Sequence, residues 1–173
     1  FLKNKRLRLF VISGSFSALM ILALVSFKQT SFWLNDYTLF KHSAAVTKLN
    51  WQAHSLIGGY LLATQGNLSE AVEEYRKSIA ISDTPELRAL LVLVGFVKSD
   101  AGIVEEQLQL ARQKQKEEGY LALYLYCLGL KSILDNQFQI GEARLFDARN
   151  MNVNSELISF PLGVSAEKQN EVE

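Results

Sequence analysis

The chain has little that would staple it, punctuate it or charge it. Among its 173 residues there is one Cys, so no internal disulfide can form. That Cys and two His make no cluster with zinc-ligand spacing, and no metal is expected. Lys+Arg and Asp+Glu balance at 18 each, which leaves no general basic field to hold nucleic acid. Two Pro and 21% charged residues are not the composition of a disordered chain. No glycine-rich loop ending in Lys is available to cradle phosphate, and no Asp-x-Asp to hold a metal with a sugar nucleotide. No catalytic residue and no cofactor are therefore expected in the residues present. The chain opens on Phe1 rather than Met, as a piece of a longer product would.

What is present begins with a long uncharged run, Leu9 to Phe27. It is close to the ~20 residues that cross a bilayer core as a helix. Its hydroxyls, Ser13, Ser15, Ser17 and Ser26, can bond the helix backbone. Lys3, Lys5, Arg6 and Arg8 precede it, and Lys28 is the only base directly after it. That bias predicts a basic cytoplasmic flank over 1–8, a transmembrane helix over 9–27, and everything later on the extracytoplasmic side, periplasmic in a bacterium. A cleaved signal peptide is the alternative, although Ala23 to Lys28 has no small-x-small cleavage pattern. Ser13 with Ser17 and Gly14 with Ala18 also give the run one face of small residues. All 18 acids follow the run, so the outer part is mildly acidic.

Residues 31–151 read as helices separated by short breaks. Asn50 can cap a helix from Trp51, and Asn67 one from Leu68 with Glu70 three residues on. Leu68, Ala71, Val72, Tyr75 and Ile79 form one apolar stripe of that second helix. Thr84 caps the next helix with Pro85 at its first position, where a missing N–H costs nothing. Leu87 to Val97 is too short to span a membrane and reads as a helix buried on several sides; its valines leave a strand as the minority reading. Asp100 to Gly102 and Glu118-Gly119 are further breaks, and Tyr120 to Leu134 and Phe138 to Arg149 are further helices. Ala44 and Ser78, and Val46 and Ala80, recur at a period of about 34 residues, the sign of stacked helical hairpins. After Asn152 the periodicity fades. Leu157 to Leu162, with Pro161, can pack on the last helix, and 152–173 reads as a partly disordered tail.

These residues resemble a tetratricopeptide repeat (TPR). Gln52 to Pro85 carries Gly59, Leu62, Gly66, Leu68, Glu70, Ala71 and Tyr75 at spacings similar to that family's signature. The span 86–118 keeps the length but puts Glu105 where Ala belongs. The span 119–151 keeps Leu125, Leu128, Gly129, Glu142 and Ala143, with Phe146 one residue early. The fold expected is all-α: an N-terminal transmembrane helix followed by a TPR-like α-solenoid of antiparallel helix pairs. Gly59, Ala71, Tyr75, Leu128, Gly129 and Ala143 are its expected packing residues. TPR arrays bind extended peptides in a groove lined by the first helix of each pair, so the resemblance nominates Tyr60, Thr64 and Tyr126 as groove residues; core filling is the other reading of the tyrosines.

The junction after the run also looks like part of a larger family. Phe32-Trp33-Leu34-Asn35-Asp36, Leu39-Phe40-Lys41-His42, Ala44, Val46-Thr47, Asn50 and Ala53-His54 resemble the seam between the last membrane helix and the TPRs of multi-span, O-mannosyltransferase-like membrane glycosyltransferases. That resemblance implies a non-catalytic C-terminal segment that positions an acceptor. The reading from the residues present is a membrane-anchored interaction module for a protein or peptide partner, with no role in nucleic-acid binding. His42 and His54 are expected to pack or hydrogen-bond, Cys127 to lie in the core, and Trp33 to sit at the lipid interface or under the first hairpin.

Overall fold

The residue ahead of a helix writes its beginning. Asn35, Asn50, Asn67, Thr84 and Asp100 each turn a side-chain oxygen onto a backbone N–H of the turn that follows. Those N–H groups have no partner inside the helix, so each cap is worth about 1 kcal/mol. The computed structural model describes residues 5–64 and 66–172, and the helices that result are α1 (Lys5–Thr30), α2 (Asp36–Val46), α3 (Trp51–Ala63), α4 (Leu68–Ile81), α5 (Pro85–Val97), α6 (Ala101–Gln113), α7 (Tyr120–Leu134), α8 (Phe138–Asn150) and α9 (Ser155–Val172). No strand occurs among the described residues, so Leu87–Val97 is helix α5 rather than the minority strand. The expected basic flank begins outside the described residues, which exclude Lys3.

Helix α1 is long and apolar enough to cross a membrane, and its residues from Leu9 onward are exposed. Among the described residues it touches only the short 3₁₀ turn Ser31–Trp33. From α2 onward each helix packs on its successor. Two cores result. One gathers Ile57 and Leu61 of α3, Ala71, Val72 and Tyr75 of α4, Leu91 and Val94 of α5 and Ile103 of α6. The other gathers Ala89, Val92 and Phe96 of α5 with buried residues of α6, α7, α8 and α9. Helix α5 serves both because it is apolar around most of its circumference.

Glycines set how closely the helices cross. A Cβ on Gly58 would lie 2.9 Å from the Tyr75 ring, and one on Gly95 would lie 2.8 Å from Ile103. On Gly141 it would meet Ile133 at 2.6 Å and the Gly129 carbonyl oxygen at 2.9 Å, so α7 and α8 are in near backbone contact. Gly119, which opens α7, has φ 77°, and a Cβ there would also meet Pro85 at 2.9 Å. Ser78 of α4 ties that helix to α3 by donating its hydroxyl to the Trp51 carbonyl at 2.8 Å.

Two expected packing positions are corrected by one or two residues. The glycine pressed on Tyr75 is Gly58; Gly59 is half-buried, and a Cβ there would be at an ordinary 3.6 Å from the Tyr75 hydroxyl. In α8 the close-crossing residue is Gly141, whereas Ala143 is exposed. The reason is where the helix starts: Ala71 is the fourth residue of α4, and Gly141, not Ala143, is the fourth of α8. By the same count Val104 rather than Glu105 holds that place in α6, and Leu145 rather than Phe146 matches Tyr75. Ala71, Tyr75 and Gly129 are buried, and Leu128 is partly buried against the second core.

The expected tail also takes another form. Residues Ser155–Val172 are helix α9, with Pro161 inside it. Ile158 and Ser165 are buried, and the Ser165 hydroxyl and Gln169 amide both donate to the Glu142 carboxylate at 2.7 Å. The segment needs no strong periodicity of its own, because the faces of α5, α7 and α8 supply its cover. Gly141→Val should lower stability by about 1–3 kcal/mol through overpacking, while Ala143→Val should stay within about 0.5 kcal/mol of the parent. Thermal denaturation of the full chain in detergent, followed by circular dichroism, measures both; equal losses would refute the α7–α8 crossing.

Candidate functional site

Helices α3, α5 and α7 touch in order, α3 with α5 and α5 with α7. Helix α9 also touches α5 and α7, so it covers part of the face those helices share. Tyr126 of α7 is fully buried there, and its hydroxyl donates to the Leu157 carbonyl of α9 at 3.2 Å. Burial pushes its pKa well up, because the phenolate would lose its water. Phe160 of α9 borders a small apolar cleft with Leu62 and Ala63 of α3 and Leu93 and Val97 of α5.

The three nominated groove residues therefore do not line one surface. Tyr126 is corrected to a core residue that α9 seals. Tyr60 is half-buried, with its ring 5.6 Å from that of Tyr37 on α2. Thr64 is exposed, and its hydroxyl donates to the Tyr60 carbonyl at 2.8 Å, which finishes α3. The larger opening lies instead at the starts of α5 and α7. It is a cleft of about 530 Å³ between the first turns of α5 and α7 and the turn joining α8 to α9. Ala89 and Leu123 are buried beneath it, and Val153 and Leu157 flank it. Glu86, Glu118 and Glu156 stand around it, all exposed. Its volume falls within the ~300–1,000 Å³ of ordinary ligand clefts. Sequence reasoning missed it because it searched for aromatic side chains, and Glu118 reads as one more solvated acid at a helix end. The one available signal was the recurrence of Glu beside successive helix starts.

Two polar networks lie between neighbouring helices. Asp83, between α4 and α5, accepts two hydrogen bonds from the Arg88 guanidinium, at 2.5 and 2.9 Å, and one from the Tyr120 hydroxyl at 3.3 Å. Arg88 also donates to the buried Gln107 at 2.7 Å. The Arg88 hydrogen bonds hold the Asp83 carboxyl below its ordinary range, more than offsetting the effect of burial. The second network is centred on Glu74, which is 7% exposed. His54 Nδ1 lies 2.7 Å and Lys77 Nζ 2.6 Å from its oxygens. Burial alone would raise the Glu74 carboxyl, but hydrogen bonds from Lys77 and His54 outweigh it and hold it below the usual glutamate value. Nearby, the Tyr37 hydroxyl donates to Glu70 at 3.0 Å and accepts from Lys41 at 2.9 Å.

The remaining reactive side chains have structural partners. The His42 ring stacks on Phe32 at 3.8 Å. Cys127 is fully buried, and burial raises its thiol pKa, which disfavours the nucleophilic thiolate. No group of three or more His, Cys, Asp or Glu able to hold a metal ion occurs among the described residues. Comparison with family models, curated proteins and solved structures finds no match to the chain.

Glu74 makes stability depend on pH in a defined direction. Its folded pKa lies below the ordinary 4.5, so its contribution is complete above that value and is lost as pH falls through the lower folded one. The full chain in detergent should therefore melt at progressively lower temperature as pH drops below about 4.5. Glu74→Gln should be less stable at pH 7 and flatter over that acid window. Parallel melting profiles for parent and variant would refute this role.

Proposed function

We propose that the chain is a membrane-anchored, TPR-like interaction module that holds a protein or peptide partner on the extracytoplasmic side. The anchor in this reading is α1, exposed from Leu9 onward and followed by the exposed Trp33, the type of side chain that favours a lipid–water interface. The basic residues ahead of the run support a cytoplasmic N-terminal end.

The repeat reading is supported by recurring contacts. Ser78, near the end of α4, bonds to Trp51, at the start of α3, as it would if the two ran in opposite directions. A glycine of each first helix presses on the second helix of its pair, at Gly58, Gly95 and Gly129. First helices touch one another, while α4 meets α6 through the exposed Arg76–Glu106 ion pair. Stacked hairpins with an inner face of first helices have that contact order.

One observation carries the docking role: the cleft over the starts of α5 and α7, which α9 leaves open while it covers Tyr126. A photo-crosslinking side chain in place of Met151, which is exposed at this cleft, should yield a discrete adduct in living cells. The same probe at Arg112, exposed on α6, should not. Gln139→Cys, exposed on α8, should react with a membrane-impermeant maleimide from outside the membrane, with the buried Cys127 silent. Equal adducts at both sites, or none, would overturn the docking role. Labelling that requires permeabilisation would reverse the orientation.

A further inference from the structure

We infer that the occupant of this cleft is a cationic peptide segment, with an apolar side chain seated on the floor and Lys or Arg on either side of it. The inference rests on the docking role proposed above and deepens it by assigning the ligand's chemistry. The floor gives the first half of the argument. Ala89 and Leu123 close it from below, and Val153 and Leu157 bring further apolar surface to its edges. A cleft of about 530 Å³ with such a lining gains most from an aliphatic side chain taken out of water.

The rim gives the second half. Glu86, Glu118 and Glu156 come from three separate segments and converge on one opening. No Lys or Arg among the described residues pairs with any of them. Arg88 is engaged by Asp83 and Gln107, and Lys114 by Asp83 and Glu117. Three like charges around one apolar opening repel one another, and a ligand cation relieves that repulsion.

An anionic ligand does not fit the same site. Helix starts ordinarily attract anions through free N–H groups. Here Pro85, at the first position of α5, brings no N–H, and Glu86 and Glu118 place negative charge beside both helix starts. Glu156 does the same in the first turn of α9. These acids also favour their own helices, but that role does not require the three to surround one cleft.

The test uses the full chain in detergent micelles and fluorescence anisotropy of three labelled probes. The first is Gly-Lys-Gly-Leu-Gly-Lys-Gly, the second has Glu for both Lys, and the third has Ala for Leu. The first should bind and the other two should bind far more weakly, with affinity for the first falling as salt rises. The combined variant Glu86→Gln, Glu118→Gln, Glu156→Gln should weaken the first probe by about tenfold, since exposed ion pairs contribute a few-fold each. A matched variant, Glu73→Gln, Asp147→Asn, Glu167→Gln, removes as many exposed acids elsewhere and should bind as the parent does. Circular dichroism should show both variants as helical as the parent. Equal binding of the first two probes, or no effect of the cleft variant, would overturn the inference. A Met151 adduct in cells without binding of the cationic probe would overturn it and leave the docking role intact. Absence of both would overturn both.

Discussion

Helix α5 is the element on which the rest of the structure depends. A helix apolar over most of its surface cannot rest on one neighbour and must be covered on several sides. Leu91, Val92 and Val94 are each at most 1% exposed, and burying each such side chain contributes about 1.5–3 kcal/mol. Leu91 and Val94 belong to the core shared with α3 and α4, while Val92, Ala89 and Phe96 belong to the core shared with α7. The two cores are therefore held together by opposite faces of a single helix. Thr84 and Pro85 fix where it begins, and the Asp83–Arg88–Gln107 network ties that beginning to α6.

Close helix crossings set the spacing on either side of α5. Gly58 admits the Tyr75 ring, and Gly129 with Gly141 brings α7 and α8 nearly into backbone contact. Burial raises the Tyr75 phenol pKa to about 12, so the ring enters the crossing as a neutral group. Helix α9 then returns over α5 and α7, where it covers Tyr126 and bonds to Glu142 through Ser165 and Gln169. Function and packing meet at this point. Tyr126, which the repeat resemblance assigned to a peptide groove, is covered by the chain's own last helix. What stays open is the cleft beside the starts of α5 and α7, where helix starts also favour acids.

Much of this was readable along the chain. The caps at Asn50, Asn67 and Thr84, the Pro at the start of α5, the breaks near Asp100 and Gly119 and the stripe through Ala71 and Tyr75 are local signals, and local geometry follows from them. The long exposed α1 and the wholly helical character of the described residues were likewise legible from the length and spacing of apolar residues.

The residues that meet across helices were not legible in the same way. A side chain's direction turns by about 100° with each step along a helix, so a shift of one residue separates Gly58 from Gly59, and a shift of two separates Gly141 from Ala143. Only the crossing with a neighbouring helix settles which of these positions meets the partner. The burial of Tyr126 and the helical state of 155–172 depend on each other, and neither segment carries a local sign of the other. The cleft is the extreme case, because Glu86, Glu118 and Glu156 are far apart in sequence and become one rim only when α5, α7 and α9 converge. Sequence determined which segments between residues 31 and 150 are helical and where most of them begin, because caps and periodicity act within a few residues. Tertiary structure alone decided which faces touch and which acids share an opening, because those depend on contacts between segments that carry no local mark of their partners.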